Sequence, residues 1–264
     1  VQRLRRLTRQ RSVRRREGTF VAEGAKLVAA ALDAGAAVEA VYYAPQAPGA
    51  PGAAEVLARA RAAGVRVFAL AKGVVERVAD TTTPQPLLAV VGAVDVGLAE
   101  VLAAPLLFVL VDVRDPGNVG AILRVAGGCG AGGVVCCEGC ADVYNPKTVR
   151  ASAGSLFIVP VVVGIPPEVA LAELAAAGYQ RAGTAARGGT ALATAAVGPK
   201  VALVFGNEAQ GLEGELRRSL DAVVTIPMAP AAESLNVATA AAVLGFSLAR
   251  RLRGEPSGPY DEPT

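Results

Sequence analysis

The chain has 264 residues, 53% of them hydrophobic, with 26 Lys or Arg against 23 Asp or Glu, four cysteines and no histidine. That length and apolar content suffice for two modest domains, each with its own core. The missing histidine excludes Ser-His-Asp and Cys-His triads and every His-containing metal site, so proton transfer falls to a carboxylate, Lys, Tyr, Cys, Arg or water.

Residues 1–16 hold eight arginines and no acid, a density that reads as a footprint for phosphate backbones or as a solvated helix face. This stretch lacks the apolar segment of a secretion signal. Val1 stands where Met would be expected, so a trimmed or mistranslated start is anticipated. The pattern then predicts a strand over 19–22, a helix over 25–34, a strand over 38–44 and a Pro- and Gly-rich loop over 45–52. A helix over 53–63, ended by Gly64, and strands over 65–70 and 87–94 complete a small α/β layer spanning 1–95.

After a linker at 96–105, a second register begins. Strands are expected over 106–112, 133–137, 157–163, 179–184, 200–205 and 222–226, with helices over 118–127, 167–177, 212–219 and 234–252. The alternation implies a second, mostly parallel α/β sheet over 106–253, with a disordered tail over 254–264. The longest apolar runs, such as 106–111 and 157–163, fall well short of the roughly 18 residues of a membrane span, and a soluble, cytoplasmic protein is expected. Cys129, Cys136, Cys137 and Cys140 read as small buried residues in a reducing compartment, because neighbours in a strand point to opposite faces and suit neither a disulfide nor a zinc site.

Three segments of the second register follow strand-like runs and set Gly or Pro beside polar groups: Asp115-Pro-Gly-Asn-Val-Gly-Ala-Ile-Leu-Arg124, Val204-Phe-Gly-Asn-Glu-Ala-Gln-Gly-Leu212 and Ile226-Pro-Met-Ala-Pro-Ala-Ala-Glu-Ser-Leu-Asn-Val237. In a parallel sheet such positions lie beyond the carboxyl ends of the strands, where ligands bind. Asn118 and Ser234 each suit a helix N-cap. Those roles leave Arg124 on an otherwise apolar helix, where a guanidinium requires a structural carboxylate or a substrate phosphate, and Asn236 surplus inside a first turn. Glu208, between glycines, either stabilises the next helix N-terminus or acts directly. Gly128-x-Gly130-x-x-Gly133 matches the dinucleotide fingerprint formally but precedes a strand instead of following one, so it reads as a helix C-cap and turn, and a Rossmann oxidoreductase is disfavoured.

In order and content these segments resemble the SpoU (TrmH-like) family of RNA ribose 2'-O-methyltransferases. The resemblance implies a trefoil-knotted SPOUT methyltransferase domain over 106–253, preceded by a small L30e-like α/β substrate-binding domain. The latter is suggested by the Arg-rich first helix, Phe20-Val-Ala-Glu-Gly24 and Asp80-Thr-Thr-Thr-Pro-Gln85. It assigns a catalytic set of Asn118, Arg124, Glu208, Ser234 and Asn236, with Arg124 held to the RNA phosphate and the ribose hydroxyl. It assigns S-adenosyl-L-methionine as cofactor, contacted by Thr184, Gly206, Ile226 and Leu235, and no metal. Arg3, Arg5, Arg6, Arg9 and Arg150 are the expected RNA contacts, Arg150 from a family-like segment over 145–154. Ribosomal RNA is favoured over tRNA because a whole N-terminal domain is present, and a homodimer through the C-terminal domain is implied. A non-catalytic RNA-binding or ribosome-assembly factor on the same scaffold is the rival reading.

Overall fold

Two β-sheets organise the chain in the computed structural model, which describes residues 1–207, 211–212 and 214–255. One unit comprises Val1–Val94 with Asp142–Ile158, and the other Asp95–Ala141 with Val159 onward.

The first unit opens with α1 (Gln2–Arg9) and α2 (Arg11–Glu17) and continues through β1 (Thr19–Glu23), α3 (Ala25–Asp33), β2 (Val38–Tyr43), α4 (Ala53–Ala62), β3 (Arg66–Ala69), α5 (Val74–Val78) and β4 (Leu87–Gly92). Its sheet runs β1-β4-β2-β3, antiparallel except for the β2–β3 pair. Leu4, Leu7 and Val13 bury against Val21, Leu88 and the α5 valines. The single Arg-rich helix expected from sequence is two helices, because Gln10 adopts an extended conformation. In one continuous helix Val13 would lie about 180° around from Leu4, at roughly 100° per residue. The break returns Val13 to the core.

The second unit contains α6 (Leu98–Val101), β5 (Leu106–Leu110), α7 (Pro116–Cys129) and β6 (Val134–Cys137). The chain then visits the first unit through α8 (Pro146–Ala151) before resuming with β7 (Val161–Ile165), α9 (Pro167–Ala176), β8 (Gln180–Thr184), β9 (Thr190–Ala191), β10 (Val201–Phe205), α10 (Gly214–Arg218), β11 (Ala222–Thr225) and α11 (Val237–Leu252). These strands form a parallel sheet in the order β7-β6-β5-β10-β8-β11-β9. β5 and β10 are buried at every position, as strands covered on both faces should be. Phe108 and Phe205 meet edge to face across them. Helix α11 lays Ala238, Ala241, Leu244, Gly245 and Leu248 inward, a stripe at helical spacing.

The apolar run expected as one strand over 157–163 is divided between the units. Phe157 ends a short 3-10 turn and stacks on Phe20 with ring centroids 6.0 Å apart, while β7 begins after Pro160. The same excursion also stacks Tyr144 on Phe20, with centroids 4.7 Å apart. It also pairs Asp142 with Arg14, whose Nη2 lies 2.6 Å from Oδ2 with only 4% of the Arg14 side chain exposed. Arg14 Nη1 donates to the carbonyl oxygens of Leu7 and Thr8 as well. By contacts, residues 142–158 pack with the N-terminal unit, although they fall within the 106–253 span drawn from sequence. Gly130, in the left-handed region at φ 76°, closes α7 as its C-cap, the role assigned to that glycine cluster. Residues 256–264, most of the expected tail, lie outside the described residues.

Candidate active site

Between β5 and β10 the strand order reverses: the chain leaves β5 toward β6 and β7 on one side, while β10, β8 and β11 lie on the other. Such a reversal opens a crevice at the carboxyl ends. Two polar residues fasten it. Asn207 Nδ2 donates to both the main-chain oxygen and Oδ2 of Asp112, each at 3.1 Å, and Asp112 Oδ1 accepts from Arg114 Nε at 2.8 Å. Asp112 adopts φ 56°, a left-handed conformation that an Asp tolerates better than a bulky residue. Sequence reasoning passed over Asp112; its signal was an acid closing the buried apolar run 106–111, two residues before Arg114.

Beyond the neighbouring strand ends lies a cavity of about 710 Å³, the size of a small-molecule site. Thr184 from the end of β8, Gly206 after β10 and Ile226 after β11 form its floor, and Ser234, Leu235, Val237 and Leu244 close the side toward α11. Gly206 is required here by close approach: a Cβ would overlap the backbone of Gly211. That approach is held by Gly211 N–H donating to the Asn207 oxygen at 2.8 Å. Thr225 Oγ1 donates to the Ala185 oxygen at 2.7 Å, and Arg187 Nη2 to the Ala232 oxygen at 3.1 Å, so the three loops brace one another. The walls combine Ile226, Met228, Leu235 and Leu244 with Thr184, Asn207, Ser234 and main-chain groups. An apolar slot with a few oriented polar groups fits an adenosine and a short polar chain attached to it.

All four residues expected to touch the cofactor, Thr184, Gly206, Ile226 and Leu235, line this cavity, as does Ser234. Asn118 and Asn236 meet beside it. Asn236 Nδ2 donates to Asn118 Oδ1 at 2.9 Å, joining the first turn of α7 to the start of α11. Both capping assignments made from sequence are corrected. Asp115, not Asn118, caps α7 by accepting from Asn118 N–H at 3.0 Å. Asn236, not Ser234, caps α11, with Oδ1 accepting from Ala238 N–H at 2.9 Å and Thr239 N–H at 3.3 Å. Asn236 is therefore not surplus. Arg124 is exposed on α7, outside the cavity lining, and its side chain makes no hydrogen bond or ion pair among the described residues. Glu208 lies outside the described residues.

In the first unit Arg5, Arg6 and Arg9 are exposed. Arg3 is engaged by Glu17 at 2.7 Å and by Glu39 at 2.9 Å, and these carboxylates raise its pKa. Arg150 Nη1 approaches Oε2 of the buried Glu23 at 3.4 Å. Glu23 Oε1 also accepts from Thr81 Oγ1 at 3.1 Å and Gln85 N–H at 2.9 Å. One carboxylate thus joins its own segment, 20–24, to the 80–85 segment and to Arg150 of the 145–154 segment.

All four cysteines are buried, and none forms a disulfide. Burial pushes the Cys137 thiol up to about 12 and raises Cys136 and Cys129 as well, which disfavours thiolate chemistry. Among the described residues no group of three or more His, Cys, Asp or Glu side chains is placed to hold a metal, and no helix is long and apolar enough to cross a membrane.

Residues 105–246 match the SpoU rRNA methylase family, and residues 1–89 match the MRM3-like substrate binding domain. A 23S rRNA guanosine 2'-O-methyltransferase of Bacillus subtilis is 37% identical over 70% of this chain and 73% of its own length. A 23S rRNA uridine 2'-O-methyltransferase of Streptomyces viridochromogenes is 33% identical over 92% of this chain and 87% of its own. The crystal structure of the SpoU methyltransferase AviRb from that organism, in complex with AdoMet, superposes with a TM-score of 0.86 at 30% identity, covering 97% of this chain and 98% of the other.

Proposed function

The chain belongs to the SpoU rRNA methylase family, and on that premise we propose that it transfers a methyl group from S-adenosyl-L-methionine to a ribose 2'-hydroxyl of 23S ribosomal RNA. The observation that carries this reading is the cavity at the ends of β8, β10 and β11, whose lining includes Gly206, Asn207, Gly211 and Leu212 of the second motif and Ile226, Met228, Ser234, Leu235 and Val237 of the third. The relatives act on a guanosine and on a uridine. A site that serves different bases suits chemistry on the ribose.

In this reading the cofactor supplies an electrophilic methyl group on a sulfonium. The main chain at Gly206, Ile226 and Leu235 holds the adenine end, and Thr184 flanks it. The Asn118–Asn236 pair fixes the α7 and α11 starts against the cavity mouth. Glu208 and Ser234 complete the polar set taken from the family. Arg124 binds the RNA phosphate and aims the hydroxyl, because a guanidinium is a poor base but a good bidentate clamp. Water takes the proton. Positioning the hydroxyl supplies most of the rate.

The N-terminal unit is the RNA-binding module, L30e-like in fold, with Arg5, Arg6 and Arg9 among its exposed cations. Arg3 and Arg150, which carry carboxylate partners, shape that surface more than they neutralise RNA. The C-terminal unit is a trefoil knot and pairs with a second copy in the cytoplasm. Phe246 and Val243 on α11 are 46% and 44% exposed, and Phe246 packs beside Gly128 of α7. Arg124 is one helical turn from Gly128 on the same face, so pairing there brings it to the subunit boundary.

The test is transfer of labelled methyl to unmodified 23S rRNA, 16S rRNA and a tRNA pool. Label in an alkali-resistant dinucleotide of 23S rRNA is expected, with Arg124→Ala lowering kcat by about 100-fold or more while cofactor affinity is retained. Label on tRNA alone would replace the substrate. RNA binding without label on any RNA, precursor ribosomal particles included, would favour the non-catalytic factor.

A further inference from the structure

One side chain in the cavity wall has no place in the family motifs. Arg217, on α10, is the only ionisable side chain among the described residues that line the cavity. It is exposed, and its guanidinium makes no hydrogen bond or ion pair with any described residue. Its neighbour Arg218 takes the nearby acid, Glu215, at 3.8 Å, which leaves Arg217 without a carboxylate among the described residues. The rest of the described lining is neutral: aliphatic side chains, Thr184, Asn207, Ser234 and main-chain groups.

We infer that Arg217 is the carboxylate clamp of the cofactor site, binding the α-carboxylate at the amino-acid end of S-adenosylmethionine and of the S-adenosylhomocysteine left after transfer. The inference rests on the cavity being the cofactor site. The adenine end needs only the apolar slot and main-chain groups, whereas the other end carries the one anionic group of the ligand. A guanidinium offers that group two parallel donors. Sequence neighbours explain its position: Leu216 and Leu220 turn into the core of this unit, and Arg217 is left facing the cavity. An RNA phosphate fits this position less well, because polynucleotide tracks use several cations along an open surface. Among the described residues a single cation lines this concave pocket. Since substrate and product carry the same carboxylate, the clamp acts on both alike: its loss raises the cofactor KM and relieves product inhibition together.

The experiment is calorimetric titration of the full chain, wild type, Arg217→Gln and Arg217→Lys, with S-adenosylhomocysteine and with 5'-methylthioadenosine, which keeps the adenosine and thioether but lacks the amino-acid end. Arg217→Gln should weaken S-adenosylhomocysteine about tenfold, the loss of one charge-assisted pair at an open rim. It should leave 5'-methylthioadenosine within about twofold, which also reports an intact cavity; Arg217→Lys should recover part of the loss, and added salt should shrink the gap. Equal weakening of both ligands, or no change in either, overturns the assignment. So does a variant that loses affinity only for RNA. If the wild type binds neither ligand, the cofactor reading of the cavity fails, and the clamp fails with it.

Discussion

Asn236 serves two functions with one amide: its oxygen caps α11 and its nitrogen holds Asn118. Substitution separates them. Asn236→Asp keeps a capping oxygen but cannot donate, so it should cost little stability while loosening the start of α7. Asn236→Ala loses both and should cost about 1–2 kcal/mol in denaturant titration. Equal stability of the two variants would show that the cap contributes nothing. The cysteines give a second residue-scale expectation. With Cys136 and Cys137 buried and their thiols raised, the native chain should resist alkylation at pH 8 and react at all four only on unfolding, read by mass spectrometry. At this scale the polar residues near the site were legible as types but not as roles. Asp115 and Asn118 both have capping chemistry, as do Ser234 and Asn236. Which one caps depends on which backbone is extended where the helix begins, at Asp115 (φ −80°, ψ 121°) and Asn236 (φ −53°, ψ 140°), and spacing does not encode that.

β8 and β11 pair side by side and both end at the cavity, so their coupling decides how firmly that wall stands. Arg181 Nε and Nη2 donate to the two oxygens of Asp221 at 2.9 and 2.7 Å, and Arg181 N–H adds a third bond at 2.8 Å. The hydrogen-bonded guanidinium holds the Asp221 carboxyl below its usual value. A depressed carboxyl contributes fully above its unfolded pKa and is lost as pH falls through the folded one. Amide exchange in β8 and β11 should therefore stay slow through the ordinary Asp range near 4 and quicken only below it, with Asp221→Asn abolishing the dependence. Gly206→Ala tests the loop: a methyl must displace the Gly211 backbone, so S-adenosylhomocysteine affinity should fall about tenfold or more and stability should drop by about 1–3 kcal/mol. Elements that bury apolar runs, β5 and β10 above all, were legible because the same residues define strand and core. α5, α6 and α8 span one turn or so each and carry too few residues for a period to emerge.

At the scale of the whole molecule, the two-domain plan follows from the change of register near residue 100, but the allocation of residues 142–158 does not. Its partners lie far off in sequence: Arg14 and Asp142 are 128 positions apart, and nothing local to either announces the other. Removing one member of that buried pair leaves the other charge uncompensated. Arg14→Met should destabilise the N-terminal unit by about 3–5 kcal/mol, measured by amide exchange in β1 and β4, while Arg14→Met with Asp142→Leu should lose much less. Equal losses would show that the charges are not coupled.

The excursion through α8 also sets an order of events during synthesis. A domain encoded in one piece can close as soon as its last residue clears the ribosome. This N-terminal unit cannot, because Asp142, Tyr144 and Phe157 complete its interior after β5, α7 and β6 of the other unit have been made. For that interval Phe20 and Arg14 wait without their partners, and the nascent chain holds an unfinished core while a second one begins. Ribosomes stalled just before residue 142 should carry a protease-sensitive N-terminal segment, and stalls far enough past residue 158 to free it from the exit tunnel should not.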